Sequence, residues 1–114
     1  MRKDTRDLII AVKRNKCNSV KKSVITYLSE VTCSPVENYT NEELFSILKS
    51  AFLDYLSTAV NPALDMYNFF DCQQRLLSTG AATIQEVEIN CILAVFQLAR
   101  VNDKNGNFTN GFWG

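Results

Sequence analysis

Three helix-start signals in the middle of the chain are the feature that most constrains its fold. Thr40 and Thr83 are each followed three residues later by a glutamate, which is the pattern of a capping box. Asn61 precedes Pro62, an order that places an asparagine cap before a proline in the first helical turn. Behind each signal, apolar residues recur at the three- and four-residue spacing of a helix. The sequence therefore predicts three helices between residues 40 and 100.

Two amphipathic segments precede these helices. The first runs from Asp4 to about Arg14, with Asp4 or Thr5 placed to cap it, and the second begins at Asn18 or Ser19. The chain has 114 residues but only four glycines and two prolines, so few points break the helical pattern. We expect a single all-α domain over residues 1–114, folded as a compact bundle of five helices.

The last predicted helix differs from the others because residues 87–99 are apolar on nearly all sides. Such a helix belongs at the centre of a bundle or in a subunit interface. From residue 101 the chain is rich in asparagine and glycine and has no helical period, which predicts an irregular C-terminal arm over 101–114. Phe108, Phe112 and Trp113 lie in this arm. They are candidate binding residues, which dock either on the chain's own core or on a partner.

Charge is unevenly distributed although the formal net charge is zero. Residues 1–22 carry eight basic and two acidic side chains, a net charge of +6, which leaves −6 on the remainder. This basic N-terminal segment is either a solvated face, a surface for nucleic-acid phosphates, or a surface that pairs with an acidic patch on a protein or a second copy. Its candidate binding residues are Lys13, Arg14, Lys16, Lys21 and Lys22.

Several residues and motifs that often carry catalysis are absent from the sequence. The chain has no histidine, no glycine-rich phosphate-binding loop and no C-x-x-C pair among its four cysteines. Cys72 and Cys91 fall on apolar helix faces, where they are expected to act as small buried hydrophobic residues. The acidic residues of the helices form no E-x-x-E or E-x-x-D pair for a magnesium site. We therefore predict no catalytic residues, no metal site, no cofactor and no enzymatic activity.

One segment is similar to a known family. This segment begins with Asn68 and the aromatic residue Phe69, continues through a glycine break and a threonine-capped helix, and ends with Leu98-Ala99-Arg100. Over residues 67–100 this pattern resembles small phage-encoded all-α proteins that are distantly related to MazG-type nucleotide pyrophosphohydrolases. The resemblance implies a helical bundle and a phage or prophage setting. The chain departs from that pattern at Gln97, where a lysine is expected.

Together these observations predict a small phage-type accessory protein that binds and inhibits or redirects a host macromolecule, for example as an antagonist of host defence. The expected partner is a host protein or ribonucleoprotein complex, and a homo-oligomer is also compatible with the sequence. The alternatives are a MazG-like protein that binds or hydrolyses nucleotides, and a nucleic-acid-binding protein that uses the basic N-terminal segment. The apolar run of residues 8–12 is too short for a signal peptide or a membrane span, which predicts a cytoplasmic protein of the bacterial host cell without membrane contact.

Overall fold

Five α-helices form the bundle in the computed structural model, which describes residues 1–14, 20–80, 83–102 and 108–110. Within these residues the all-α fold class is confirmed. The helices are α1 (Lys3–Lys13), α2 (Val20–Thr32), α3 (Asn41–Thr58), α4 (Pro62–Thr79) and α5 (Ile84–Leu98). A 3-10 turn, Val36–Asn38, lies between α2 and α3.

The three middle helices begin where the sequence predicts. The side chains of Thr40, Asn61 and Thr83 each accept a hydrogen bond from the backbone N–H three residues on, at 3.2, 3.1 and 3.3 Å. These bonds satisfy one of the free N–H groups that every helix leaves in its first turn. Gly80 ends α4 in the left-handed conformation, with φ at 65°, as expected for a glycine C-cap.

The start of α1 differs from the prediction that Asp4 or Thr5 caps it. Arg2 is the cap residue, and its side chain makes no capping hydrogen bond. Its backbone N–H instead donates to the Asp54 carboxylate of α3 at 2.9 Å, which ties the beginning of α1 to the bundle. Thr5 lies in the first turn of the helix and is buried. A contact with a distant helix therefore replaces the local cap.

The core forms around α5, which confirms the central position predicted for it. Seven residues of α5 are buried, and Phe96 is the largest of the fully buried side chains. α1 and α3 pack on α5, and α2 covers α1. The ring of Phe96 contacts those of Phe52 and Tyr55 on α3 edge-on, with centroids 6.2 and 6.0 Å apart. Such edge-to-face contacts add about 0.5–1.5 kcal/mol each to the burial of the rings.

The predicted C-terminal arm begins with a short strand. The backbone of β1 (Arg100–Asn102) pairs antiparallel with β2 (Phe108–Asn110), and Val101 is opposite Thr109. The pairing gives the extended backbone partners for its N–H and C=O groups once the helix has ended. Among the described residues, no helix has the length and apolar character to cross a membrane.

Candidate protein-binding surface

Helix α4 exposes most of its large apolar side chains. The exposed fractions of Leu64, Tyr67, Phe70 and Leu77 are 53, 66, 51 and 48%. None of the residues of α4 is buried. The reason is its position at the edge of the bundle, where α4 packs along α5 and touches α3 at only a few points. One side of this helix therefore has no partner within the described part of the chain.

The exposed side of α4 carries a regular pattern. Its residues are spaced four, three, four and three positions apart, which places them in one line along the helix. This is also the spacing of the contact seam between helices in a coiled coil. We name this surface the α4 stripe, and it consists of Ala63, Tyr67, Phe70, Gln74 and Leu77.

A groove lies next to the α4 stripe, between α3 and α4. At its base the rings of Phe52 and Phe69 stack, with centroids 5.4 Å apart and an interplanar angle of 22°. The groove contains an open pocket of about 220 Å³. We name it the α3–α4 groove, and its lining residues are Phe45, Lys49, Phe52, Leu53, Phe69, Glu88 and Ile92.

Two opposite charges line this otherwise apolar groove. Lys49 is exposed, and its Nζ atom lies 5.9 Å from the centroid of the Phe45 ring, at the distance of a cation–π contact. Glu88 comes from α5. The pocket is smaller than the roughly 300–1,000 Å³ that is typical of small-molecule sites. Its size and apolar lining are suited to one bulky side chain of a partner rather than to a whole cofactor.

A polar contact fixes α4 against α3 near the groove. The hydroxyl group of Tyr55 on α3 interacts with the Asp65 carboxylate in the first turn of α4. Burial raises the pKa of Asp65, and the interaction with Tyr55 acts in the opposite direction. Burial and the nearby Asp65 charge hold the pKa of Tyr55 well above its usual value. Asp65 therefore has a structural partner, which accounts for one of the carboxylates considered for a metal site.

The remaining carboxylates are also spread over the bundle. Asp54 binds the backbone of Arg2, and this hydrogen bond is the main cause of the lowered pKa of Asp54. Glu86 accepts a hydrogen bond from the side-chain amide of Asn41 at 3.2 Å. In the described part of the chain, no three acidic or cysteine side chains come together as a metal site would require.

The basic residue Lys13 is buried, with only 6% of its surface exposed. Its ammonium group donates to the backbone carbonyl oxygens of Ala99 and, at 3.4 Å, of Gln97. These carbonyls end α5, where the helix dipole favours a positive charge. Burial, together with the charge of Arg100, lowers the pKa of Lys13 to about 8. Lys13, which the sequence offers as a binding residue, is thus directed into the protein and not toward a partner.

The other basic candidates fall into three groups. Lys21 is half-buried and donates to the side-chain oxygen of Asn41 at the start of α3. Arg14 and Lys22 are exposed, and each also has an interaction within the chain. Lys16 lies outside the described residues. The structure thus assigns at least Lys13 and Lys21 to contacts that hold the helices together.

The aromatic candidates of the arm are only partly covered by the structure. The backbone of Phe108 lies in β2, opposite Asn102. Phe112 and Trp113 lie outside the described residues. The α4 stripe and the α3–α4 groove are surfaces that sequence reasoning did not identify. The four-three spacing of the stripe is visible in the sequence, but it does not tell which side of α4 remains uncovered.

Comparison with known proteins adds no relative to these observations, because no family model, no curated protein sequence and no solved structure matches the chain.

Proposed function

We propose that this chain is a non-catalytic accessory protein that binds a protein partner through the α4 stripe and the α3–α4 groove. The observation that carries the proposal is the row of large apolar side chains that α4 leaves in solvent. Exposed apolar residues that stand singly are common, but a continuous exposed patch is typical of an interaction site. In the phage setting that the sequence suggests, the partner is a host protein or ribonucleoprotein complex that is inhibited or redirected by this contact.

The geometry of the surface favours a helical partner. The residues of the α4 stripe have the spacing at which one helix packs against another. The adjacent groove accepts one large apolar side chain, and Lys49 and Glu88 offer opposite charges beside it. An amphipathic helix that carries one bulky apolar anchor between charged residues matches these features. Tyr67 and Phe70 are then the residues expected to contribute most, since aromatic side chains dominate such interfaces.

The two alternatives have less support from the described residues. Nucleic-acid binding by the basic N-terminal segment would have to proceed without Lys13, whose ammonium group is buried against α5. It would also compete with the contact between Lys21 and Asn41. For the MazG-like alternative, the carboxylates Asp54, Asp65 and Glu86 all have partners within the bundle. Turnover of nucleoside triphosphates in the presence of magnesium would nevertheless overturn the non-catalytic part of the proposal.

The test compares capture of bacterial proteins by the wild type and by variants of exposed apolar residues. Phe70→Asp places a charge in the α4 stripe, and Leu53→Asp places one at the groove. Val31→Asp is the matched control, because Val31 is 61% exposed but lies on α2. We expect wild type and the control to retain the same stoichiometric partner. The two surface variants should bind the purified partner at least about 30-fold more weakly, which corresponds to roughly 2 kcal/mol.

Two results would contradict this proposal. One is equal binding of the partner by wild type and the Phe70→Asp variant, which would place the interface elsewhere. The other is the absence of any stoichiometric partner together with a monomer in light scattering. A wild-type dimer that Phe70→Asp converts to a monomer would identify a second copy of the chain as the occupant instead of a host protein. Circular dichroism of each variant establishes that its helices are intact.

A further inference from the structure

Two cysteines face each other across the α4–α5 hairpin. Cys72 lies seven residues before Thr79, the last residue of α4, and Cys91 lies seven residues after Ile84, the first residue of α5. The two helices are consecutive and pack along each other. In such a hairpin, residues at equal distances from the turn lie side by side. The fold thus brings the two thiols to the same level, two helical turns from the connection.

The two thiols are in contact with each other. The thiol of Cys72 is close enough to Cys91 to affect its ionisation, and both are free cysteines. Cys91 is fully buried, whereas Cys72 is only half-buried. Burial, reinforced by the contact with Cys72, raises the pKa of Cys91 to about 12. One member of the pair is therefore accessible from solvent, and the other is buried.

We propose that Cys72 and Cys91 form a reversible disulfide that joins α4 to α5 when the chain meets a peroxide. In the first step the Cys72 sulfur attacks a peroxide oxygen, the O–O bond breaks, and a sulfenic acid and one water form. In the second step the Cys91 sulfur attacks the Cys72 sulfur. The S–S bond forms, the S–O bond breaks, and the hydroxyl group leaves as water with the Cys91 proton. Two thiols are thus oxidised and one hydrogen peroxide is reduced to two waters.

The position of the pair gives this bond a structural effect. Helix α4 contributes no fully buried residue to the core, and it is held mainly by its packing along α5. A bond at Cys72 anchors the middle of this helix covalently to α5, around which the core forms. The disulfide would restrict the movement of the helix that carries the α4 stripe. Its formation does not depend on whether the stripe binds a partner. Thiol reductants should reverse the bond.

The test maps the cysteine linkages of the full chain after treatment with hydrogen peroxide. Cleavage after Lys49, Arg75 and Arg100 places the two thiols in separate peptides, residues 50–75 and 76–100. The exposed Cys33 monitors the dose, because the peroxide concentration is raised until Cys33 is oxidised. We expect a linked pair of these peptides, two mass units lighter than their sum, that separates on reduction. Denatured alkylation should then detect two fewer free thiols from this pair.

Three variants decide the assignment. Cys72→Ser and Cys91→Ser should each abolish the linked peptide pair, whereas Cys33→Ser is the matched control and should leave it unchanged. Cys91→Ser should also accumulate the Cys72 sulfenic acid, which a dimedone probe captures. The proposal is overturned if, at a dose that oxidises Cys33, Cys72 and Cys91 both remain alkylatable or either of them is linked to another cysteine.

Discussion

The buried ammonium group of Lys13 predicts a specific pH dependence of stability. Its Nζ atom donates to the last carbonyls of α5, and burial lowers its pKa from 10.5 to about 8. Between these two values the folded chain has lost this proton but the unfolded chain still carries it, so unfolding takes up a proton. The stability contributed at this site therefore rises with pH across the window from about 8 to 10.5 and is constant below it.

The perturbation is Lys13→Met, which keeps most of the aliphatic stem and removes the titrating group. The slope for one proton is at most about 1.4 kcal/mol per pH unit. The difference in the free energy of unfolding, wild type minus Lys13→Met, should be flat from pH 6 to 7.5. It should then increase by roughly 1 kcal/mol per pH unit between pH 8.5 and 10. Taking the difference cancels the other groups that titrate in this range.

The assay is urea unfolding followed by circular dichroism at a series of pH values. Lys3→Met is the matched control, because Lys3 is an exposed lysine of the same helix. The Lys3→Met variant also removes one positive charge from the N-terminal segment, but Lys3 does not make the contact to α5 that Lys13 makes. A difference between wild type and Lys13→Met that stays constant from pH 6 to 10 would refute the argument that the ammonium group is desolvated against the end of α5.

Three further predictions concern the stability of the bundle. Phe96→Ala should lower the free energy of unfolding by about 3–5 kcal/mol in urea denaturation, because Phe96 is fully buried between two helices; a loss below 1 kcal/mol would contradict its place in the core. Gly80→Ala should cost about 1 kcal/mol through its positive φ alone, because an added Cβ finds nothing within 4 Å, and an unchanged melting temperature would argue against the left-handed cap. Thr83→Ala should cost about 1 kcal/mol by removing the cap of α5, whereas Thr83→Ser should retain most of the stability.

The parts of the fold that sequence predicts well depend on neighbouring residues. The starts of α3, α4 and α5 follow from side chains that bond to N–H groups three residues away, so Thr40, Asn61 and Thr83 are sufficient to find them. The start of α1 cannot be predicted in this way. There the backbone of Arg2 bonds to Asp54, which is 52 residues away, and no local pattern encodes that contact.

The α4 stripe could not be predicted from the sequence, because it also depends on contacts between distant residues. Apolar periodicity gives the direction of an apolar face but not whether a second helix covers it. The apolar residues of α4 fit a helical pattern equally well whether other helices cover one side of α4 or two sides. The cover depends on where the other helices pack, and α3 touches α4 at only a few points, among them the stacked rings of Phe52 and Phe69. The α4 stripe therefore appears only once the helices are placed.

In the folded chain, several basic residues of the N-terminal segment contact other parts of the same molecule. Lys13 reaches the negative end of the α5 dipole, and Arg2 reaches the Asp54 carboxylate. Lys21 contacts Asn41, whose amide in turn binds Glu86. Each of these contacts joins the basic N-terminal segment to the acidic remainder of the same molecule. Three of the eight basic residues of this segment are thus used in internal contacts that connect α1 and α2 to the rest of the bundle, whereas the α4 stripe faces solvent.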